Sequence, residues 1–173
     1  MEFLALSLVL AAIVLILVGT IRTGVPPMPT SPAVRACMFT VIEGLEPRCI
    51  HELGAGWGGL ATALARRFPD ARVIATEVSP LPWAVCRLRQ VLFGPANLEV
   101  RFGDILKTDF SDADLAVCFL CPPAMTKLAG RLEDGLKPGA WVLSNAFALP
   151  GWTPVKEARV DDLHRSAVYL YRK

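Results

Sequence analysis

The stretch from Cys49 to Gly59 constrains the fold most, because its sequence CIHELGAGWGG combines three kinds of local structure. A short apolar run typical of a strand breaks into four glycines within six positions, and helix-forming residues follow from Leu60 to Arg67. Glycine tolerates positive φ and has no Cβ, so such a loop brings backbone N–H groups close to a ligand at the start of a helix. The stretch therefore predicts a strand, a tight loop and a helix that bind a nucleotide-like cofactor.

Strand and helix patterns alternate along the chain after this loop, which predicts an α/β fold with a mostly parallel sheet covered on both faces. The predicted strands are residues 49–53, 72–77, 98–103, 114–120 and 140–146. The predicted helices are residues 31–45, 58–68, 81–93 and 123–136. Two further strand-like runs, residues 155–160 and 165–171, are predicted to form an antiparallel hairpin that closes one edge of the sheet.

The N-terminal segment is strongly apolar, since residues 3–21 carry no charge and only Ser7 and Thr20 have polar side chains. This length is sufficient to cross a bilayer as a helix. A signal peptide is the rival interpretation, but no basic residue precedes the segment and no cleavage motif follows it. A third interpretation is a hydrophobic helix that packs on the domain. We predict a transmembrane anchor over residues 1–22, a proline-rich linker over 23–32 and a single catalytic domain over 33–173.

The distribution of charge suggests where this domain lies. Arg22, Arg35 and Arg48 follow the apolar segment, so the positive-inside tendency places the domain on the cytoplasmic side of the membrane. No Arg- and Ser-rich presequence precedes the segment, which favours a bacterial inner membrane over a mitochondrial one. The net charge is only +2 and the basic residues are scattered, so nucleic acid is not an expected partner.

The five cysteines indicate reduced, buried thiols rather than a disulfide framework, because their number is odd and they lie in apolar segments. Cys118 and Cys121 match the spacing C-x-x-C, but the chain has only two histidines and no second cysteine pair. We therefore expect no metal site.

Two cofactor templates fit the glycine loop. Gly54, Gly56 and Gly59 satisfy the G-x-G-x-x-G fingerprint of dinucleotide-binding proteins, with Glu77 at the end of the next strand. The same loop also reads E-x-G-x-G-x-G from Glu52, the pattern of class I S-adenosylmethionine-dependent methyltransferases. A nicotinamide enzyme and a methyltransferase are therefore both compatible with the loop alone.

Three features outside the glycines favour S-adenosylmethionine. Glu52 lies in an apolar strand, where a buried carboxylate needs a cationic partner such as an ammonium or sulfonium group. Asp104 follows the third strand, where it can accept a hydrogen bond from an adenine amine. The chain also has no room for a separate dehydrogenase substrate domain. The predicted cofactor-binding residues are Glu52, Gly54, Ala55, Gly56, Trp57, Gly58, Glu77 and Asp104.

Several motifs resemble one family over nearly the whole chain. They are ELGAGWG (residues 52–58), EVSP (77–80), FALPGWTP (147–154) and LHRSAVY (163–169), with VPPMP (25–29) before the loop. They look like the membrane-anchored lysine methyltransferases that act on the ATP synthase c subunit and the adenine nucleotide translocase, with their bacterial relatives. The resemblance implies a Rossmann-like class I methyltransferase that methylates lysine in a membrane protein. Trp57 and Pro27 depart from the family, which has an acidic and an aromatic residue there.

The end of the fourth strand bears on the methyl acceptor. Many amine methyltransferases carry Asn or Asp, two prolines and an aromatic residue here, whereas this chain has Cys121 and Ala124 in the polar and aromatic positions. A planar nucleobase or amide is thereby disfavoured, and a lysine amine is compatible. We expect Cys121, Pro122 and Trp152 to position the substrate, although Trp152 can equally pack the hairpin on the sheet. No catalytic base is identifiable.

Two other functions stay open on the sequence. One is a methyltransferase for a small or lipid-soluble molecule, and the other is a non-catalytic module that binds a cofactor or a partner.

Overall fold

The computed structural model describes residues 2–23, 28–162 and 165–173. Within these ranges the helices are α1 (Glu2–Thr23), α2 (Pro32–Val41), α3 (Gly59–Arg67), α4 (Pro80–Phe93) and α5 (Pro122–Gly135). The strands are β1 (Cys49–Leu53), β2 (Arg72–Glu77), β3 (Leu98–Phe102), β4 (Leu115–Cys118), β5 (Trp141–Asn145), β6 (Lys156–Arg159) and β7 (Ala167–Arg172).

The strands form one sheet in the order β3-β2-β1-β4-β5-β7-β6. Strands β1 to β5 are parallel, while β7 pairs antiparallel with β5 and β6 pairs antiparallel with β7. The predicted α/β sheet with an antiparallel C-terminal hairpin at one edge is therefore confirmed. Residues 163 and 164 of the predicted hairpin turn, and residues 24–27 of the predicted linker, lie outside the described residues.

Helix α2 begins where the sequence predicts and ends four residues earlier. Ser31 accepts a hydrogen bond from the Val34 N–H through its hydroxyl, and Pro32 occupies the first helical position, where its missing N–H costs nothing. The helix ends at Val41 because the chain turns toward Gly44, which has φ +84°. The buried side chains of α2 face the β5–β7 side of the sheet.

Apolar side chains fill both faces of the sheet, as a parallel sheet between helices requires. On β4, Leu115 and Val117 belong to the core that packs under α2 and α3, while Ala116 and Cys118 belong to the core under α5. Because side chains alternate between the two faces of a strand, β4 contributes to the hydrophobic core on each side of the sheet.

Helix α1 does not support the predicted membrane anchor. Among the residues described, no helix combines the length and the apolarity that crossing a membrane would require. The C-terminal part of α1 contacts α4, where Gly19 is buried and a Cβ on it would lie 3.4 Å from the Ser79 Oγ. The prediction of a membrane location depended on the anchor and has no support from the structure.

The parallel arrangement brings the carboxyl ends of β1, β2 and β3 to one edge of the sheet. Glu52 lies near the end of β1, Glu77 is the last residue of β2, and Asp104 follows β3 by two positions. Ligands in open α/β sheets bind at this edge, where strand order reverses between β1 and β4.

Candidate functional site

The glycine loop turns tightly from β1 into α3. The N–H groups of Gly54 and Ala55 both donate to the Thr76 carbonyl at 3.0 Å, and the Gly58 N–H donates to the Ala55 carbonyl at 2.9 Å. These bonds fold the loop back over the end of β2, so its next residues face the space above the sheet.

Two glycines of this loop have no room for a side chain. Gly54 has φ +89°, and a Cβ there would lie 2.8 Å from Leu120 Cδ2. Gly58 has φ +77°, and a Cβ there would lie 2.4 Å from Cys86 Sγ. Both the left-handed backbone and the close packing against neighbouring elements therefore require glycine.

Gly56 differs from these two, because a Cβ on it would meet nothing within 4 Å. Its φ is +53°, and its N–H donates to Glu77 Oε2 at 2.7 Å. Gly56 thus presents bare backbone to open space next to a carboxylate. A ligand can approach the chain here more closely than any side chain would allow.

The Glu77 carboxylate is held in place by two backbone donors. Its Oε2 accepts from Gly56 and its Oε1 accepts from the Ser79 N–H at 2.7 Å, while the side chain is only 7% exposed. Each carboxylate oxygen keeps further acceptor capacity, since it has two lone pairs. Glu77 is therefore a fixed acceptor at the edge of the sheet.

Glu52 is the acidic side chain whose environment least suits a negative charge. It is 4% exposed, and its Oε2 has no hydrogen-bond partner among the described residues. Burial and the nearby Glu77 charge raise the pKa of the Glu52 carboxyl well above its usual range. A cation bound here would supply the missing partner, so the site fits a positively charged ligand.

Asp104 begins a turn directly after β3. Its Oδ1 accepts from the Leu106 N–H at 2.9 Å, and its backbone carbonyl accepts from the N–H groups of Lys107 and Thr108. The side chain is half-buried. The turn therefore orients Asp104 while leaving acceptor capacity on its carboxylate.

These groups line a cavity of about 660 Å³. Seven of the eight predicted cofactor residues line it: Glu52, Gly54, Ala55, Gly56, Trp57, Glu77 and Asp104. The eighth, Gly58, is the N-cap of α3 and packs against Cys86 behind the loop. The half-buried Trp57 ring contributes one wall.

The three predicted substrate-positioning residues are not among the residues that line this cavity. Cys121 is the N-cap of α5 and Pro122 is its first residue, whereas their neighbours Leu120 and Pro123 do line the cavity. Trp152 lies against the hairpin, with its ring edge-on to Tyr171 at a centroid distance of 6.1 Å. This placement matches the packing alternative for Trp152.

Other cavity-lining residues are not predicted from the sequence. Met28 and Thr30 reach the cavity from the segment before α2, while Arg89 from α4 and Lys127 from α5 supply two cations. Lys127 is four residues beyond Pro123, on the same face of α5, so it could have been inferred from the Pro-Pro helix start. Arg89 carries no comparable local signal.

Comparison with known proteins identifies a family for this architecture. The family described as the ANTKMT methyltransferase domain matches residues 52–156, which include the glycine loop, Glu77 and Asp104. A protein-lysine N-methyltransferase of Saccharolobus islandicus (strain REY15A) is 28% identical over 157 residues, covering 85% of this chain and 92% of that protein.

Two further proteins extend the comparison. The lysine N-methyltransferase of the ATP synthase c subunit from Rattus norvegicus is 29% identical over 135 residues, which cover 73% of this chain and 59% of the rat protein. An RNA methyltransferase from Salinibacter ruber, solved in complex with S-adenosyl-L-homocysteine, superposes with a TM-score of 0.74 at 29% identity, covering 84% of this chain and 93% of that one.

The cavity next to the glycine loop, the buried Glu52 that fits a cationic ligand, and the family match agree on one cofactor. The chain belongs to the ANTKMT methyltransferase domain family, and it is an S-adenosylmethionine-dependent methyltransferase.

Proposed function

We propose that this methyltransferase transfers the methyl group to the side-chain amine of lysine in a protein. The observation that carries the proposal is the similarity to the Saccharolobus islandicus protein-lysine N-methyltransferase, because it spans 92% of that protein and 85% of this chain. Relatives whose names specify lysine methylation of the ATP synthase c subunit support the same acceptor chemistry. That the protein substrate lies in a membrane stays a prediction from the sequence.

The acidic residues of the cavity take separate roles toward the cofactor in this proposal. Glu77, held by two backbone N–H groups, accepts hydrogen bonds from the ribose hydroxyls. Asp104 accepts from the adenine amine, and Glu52 interacts with the positively charged methionyl end. Glu52 has the strongest physical support, because its Oε2 has no hydrogen-bond partner among the described residues and its pKa is raised, as expected for a buried carboxyl group that lacks a cation.

The loop residues surround the methionyl part of the cofactor. Gly54, Ala55 and Gly56 present backbone to it, and Gly58 fixes the start of α3. Trp57 lines the same cavity, so we propose that its ring covers the methionyl chain and excludes water.

Methyl transfer itself is an in-line displacement. The lone pair of the lysine nitrogen forms the new N–C bond while the C–S bond breaks and its electrons return to sulfur, which leaves S-adenosylhomocysteine. The lysine ammonium must first lose a proton to provide this lone pair, and solvent can accept the proton. The contribution of the protein is alignment of nitrogen, carbon and sulfur, an effect that can supply about 7–11 kcal/mol of the barrier.

The acceptor reaches the cofactor from the β4 side of the cavity in this proposal. Phe119, Leu120 and Ala124 line the cavity there, and the predicted positioning residues Cys121 and Pro122 lie between them in sequence. Ala124 leaves the space that an aromatic ring would fill. An aliphatic lysine chain fits such an opening better than a stacked planar base does.

Methylation of fractionated cell material tests the proposal. The full chain is incubated with methyl-labelled S-adenosylmethionine and, separately, with protein and RNA from the source organism. Protease-sensitive label that hydrolyses to methyllysine is the expected result. Label in neither fraction, from enzyme that binds the cofactor, would overturn the assignment of the acceptor.

A matched pair of variants controls this assay. Gly56→Arg fills the cofactor cavity and should abolish labelling, whereas Gly139→Arg places the same side chain at another left-handed glycine with nothing within 4 Å, away from the cavity. Loss of labelling in both variants would indicate general damage rather than a blocked cofactor site.

RNA is the second candidate acceptor, because the similar Salinibacter ruber structure is an RNA methyltransferase. Arg89 and Lys127 at the cavity could contact phosphates. RNase-sensitive label in the same assay would select this candidate.

A further inference from the structure

A second cluster of chemically reactive side chains lies at the opposite end of β1 from the cofactor cavity. Cys49 and His51 are two positions apart on this strand, so their side chains project from the same face of the sheet. Asp112 lies in the loop before β4, and the parallel pairing of β1 with β4 brings it to them. The sequence does not indicate the cluster, since Asp112 is 61 residues from His51.

The three ligand atoms are close enough to share one metal ion. His51 Nε2 lies 2.8 Å from Asp112 Oδ1, Cys49 Sγ lies 3.4 Å from Asp112 Oδ2, and all three donor atoms lie within 4.8 Å of one another. A zinc ion with bonds of about 2.0–2.3 Å holds neighbouring tetrahedral ligands roughly 3.3–3.8 Å apart. Side-chain adjustments of about 1 Å would therefore suffice.

We propose that Cys49, His51 and Asp112 bind a zinc ion, with water at the fourth position. Thiolate, imidazole and carboxylate are all zinc ligands, whereas magnesium and calcium prefer oxygen alone. Asp112 has 56% of its side chain exposed, so it gives the ion a path from solvent and freedom to adjust.

The other two ligands lie on strand β1, one of them buried and the other beside a backbone segment held by hydrogen bonds, which favours a preformed site. His51 is 1% exposed, and its Nδ1 has no hydrogen-bond partner among the described residues, so Asp112 provides the ring's polar contact. The N–H groups of Arg48 and Cys49 both donate to Asp114 Oδ2, at 2.8 and 2.9 Å. These bonds fix the start of β1 and hence the position of the thiol.

Nearby cations are already paired with other carboxylates. Lys137 Nζ lies 2.6 Å from Asp114 Oδ1, and Arg72 lies 2.7 Å from Glu99. The Asp112 carboxylate is therefore available to a metal. Zinc binds cysteine as the thiolate, so the Cys49 thiol proton passes to solvent when the ion binds.

The site is distinct from the cofactor cavity. None of Cys49, His51 and Asp112 lines that cavity; Glu52, which follows His51 on β1, does line it, but adjacent strand residues project to opposite faces of the sheet. Zinc would therefore join β1 to the loop before β4 and stabilise the fold without contacting the methyl donor.

Metal binding to the full chain tests the proposal. Protein is treated with a chelator, dialysed, and titrated with Zn²⁺, and with Mg²⁺ as a control ion. A single bound zinc per chain is expected, and a zinc concentration of about 100 times Kd should raise Tm by roughly 5–10 °C. Co²⁺ substitution should produce a thiolate-to-metal absorption band that reports Cys49 as a ligand.

Matched variants complete the test. Asp112→Asn changes an exposed side chain and should lose the bound zinc while keeping the fold, and Cys49→Ser should lose the Co²⁺ band. Cys37→Ser alters another partly buried free thiol on α2 and should bind zinc as the wild type does. Wild-type protein that binds no stoichiometric zinc, or variants that bind it unchanged, would overturn the proposal.

Discussion

Replacing single glycines by alanine separates two reasons for glycine in the cofactor loop, namely close packing against α4 and close approach to the ligand. Gly58, Gly56 and Gly139 all have left-handed φ values, +77°, +53° and +84°. A Cβ on Gly58 would lie 2.4 Å from Cys86 Sγ, whereas a Cβ on either of the others would meet nothing within 4 Å. Of the three, only Gly56 lines the cavity. The substitutions thus share backbone strain and differ in packing and in access to the ligand.

The expected losses of stability follow from these contacts. Alanine in a left-handed conformation costs about 1–2 kcal/mol at each position. Overpacking against Cys86 adds about 1–3 kcal/mol at Gly58, for a total of about 2–5 kcal/mol. For a chain of this size, Tm falls roughly 2–4 °C per kcal/mol, so Gly58→Ala should melt roughly 4–20 °C lower than wild type and the other two roughly 2–8 °C lower. Unfolded-state effects of Gly→Ala are common to all three and cancel in the comparison.

Thermal melting and calorimetry with S-adenosylmethionine measure both effects. We expect Gly56→Ala to weaken cofactor binding roughly tenfold or more, because its methyl group enters the cavity, and Gly139→Ala to bind normally. Adding Cys86→Ala to Gly58→Ala should recover part of the packing penalty, since it removes the sulfur at 2.4 Å but leaves the Cβ and Cα of residue 86 at 3.1 and 3.3 Å.

Two results would refute this reasoning. One is a Gly58→Ala protein no less stable than Gly139→Ala, which would mean that the close approach to Cys86 is absent. The other is a Gly56→Ala protein with wild-type cofactor affinity, which would mean that the cofactor does not approach the chain at Gly56.

Three further substitutions test individual side chains. The wild-type protein should lose stability as pH rises above about 4.3, because Glu52 ionises more readily in the unfolded chain than in its buried folded-state position, where its pKa is raised. Glu52→Gln removes this loss, so its free energy of unfolding should rise relative to wild type over the same pH range, as measured by urea denaturation at several pH values. Tyr171→Phe should lower the free energy of unfolding, measured in urea, by about 1–3 kcal/mol, because the buried Leu149 N–H loses the hydroxyl that accepts its hydrogen bond at 2.9 Å. Tyr169→Phe is the control, and an equal loss of stability there would contradict the explanation. Asn97→Ala should also cost about 1–3 kcal/mol, since its amide donates to three carbonyls in and after α3; a stability within about 0.5 kcal/mol of wild type would contradict that role.

The central sheet could be predicted from the sequence because strands and the turns after them have local sequence patterns. The bounds of β1 and β2 agree with the prediction, since each is an apolar run that ends at a turn or a glycine. Glu52, Glu77 and Asp104 follow from the same logic, because the carboxyl ends of neighbouring parallel strands meet at one edge. Their placement around one cavity required no knowledge of side-chain packing.

Features that depend on tertiary contacts could not be predicted from the sequence. The contact of Gly58 with Cys86 and the approach of Asp112 to His51 join elements that are far apart in sequence. Hydropathy predicts a helix over the N-terminal segment, and α1 forms there, but a membrane span is not supported among the described residues. Composition alone does not reveal the contact between α1 and α4.

A crystal structure of the full chain with S-adenosylhomocysteine tests the central claim most directly. We predict that the ligand fills the cavity beside Gly56, with its ribose hydroxyls within about 3.2 Å of Glu77, its adenine amine at Asp104 and its amino-acid end toward Glu52. A ligand bound elsewhere on the chain, or bound here with Glu77 and Glu52 out of contact, would contradict it.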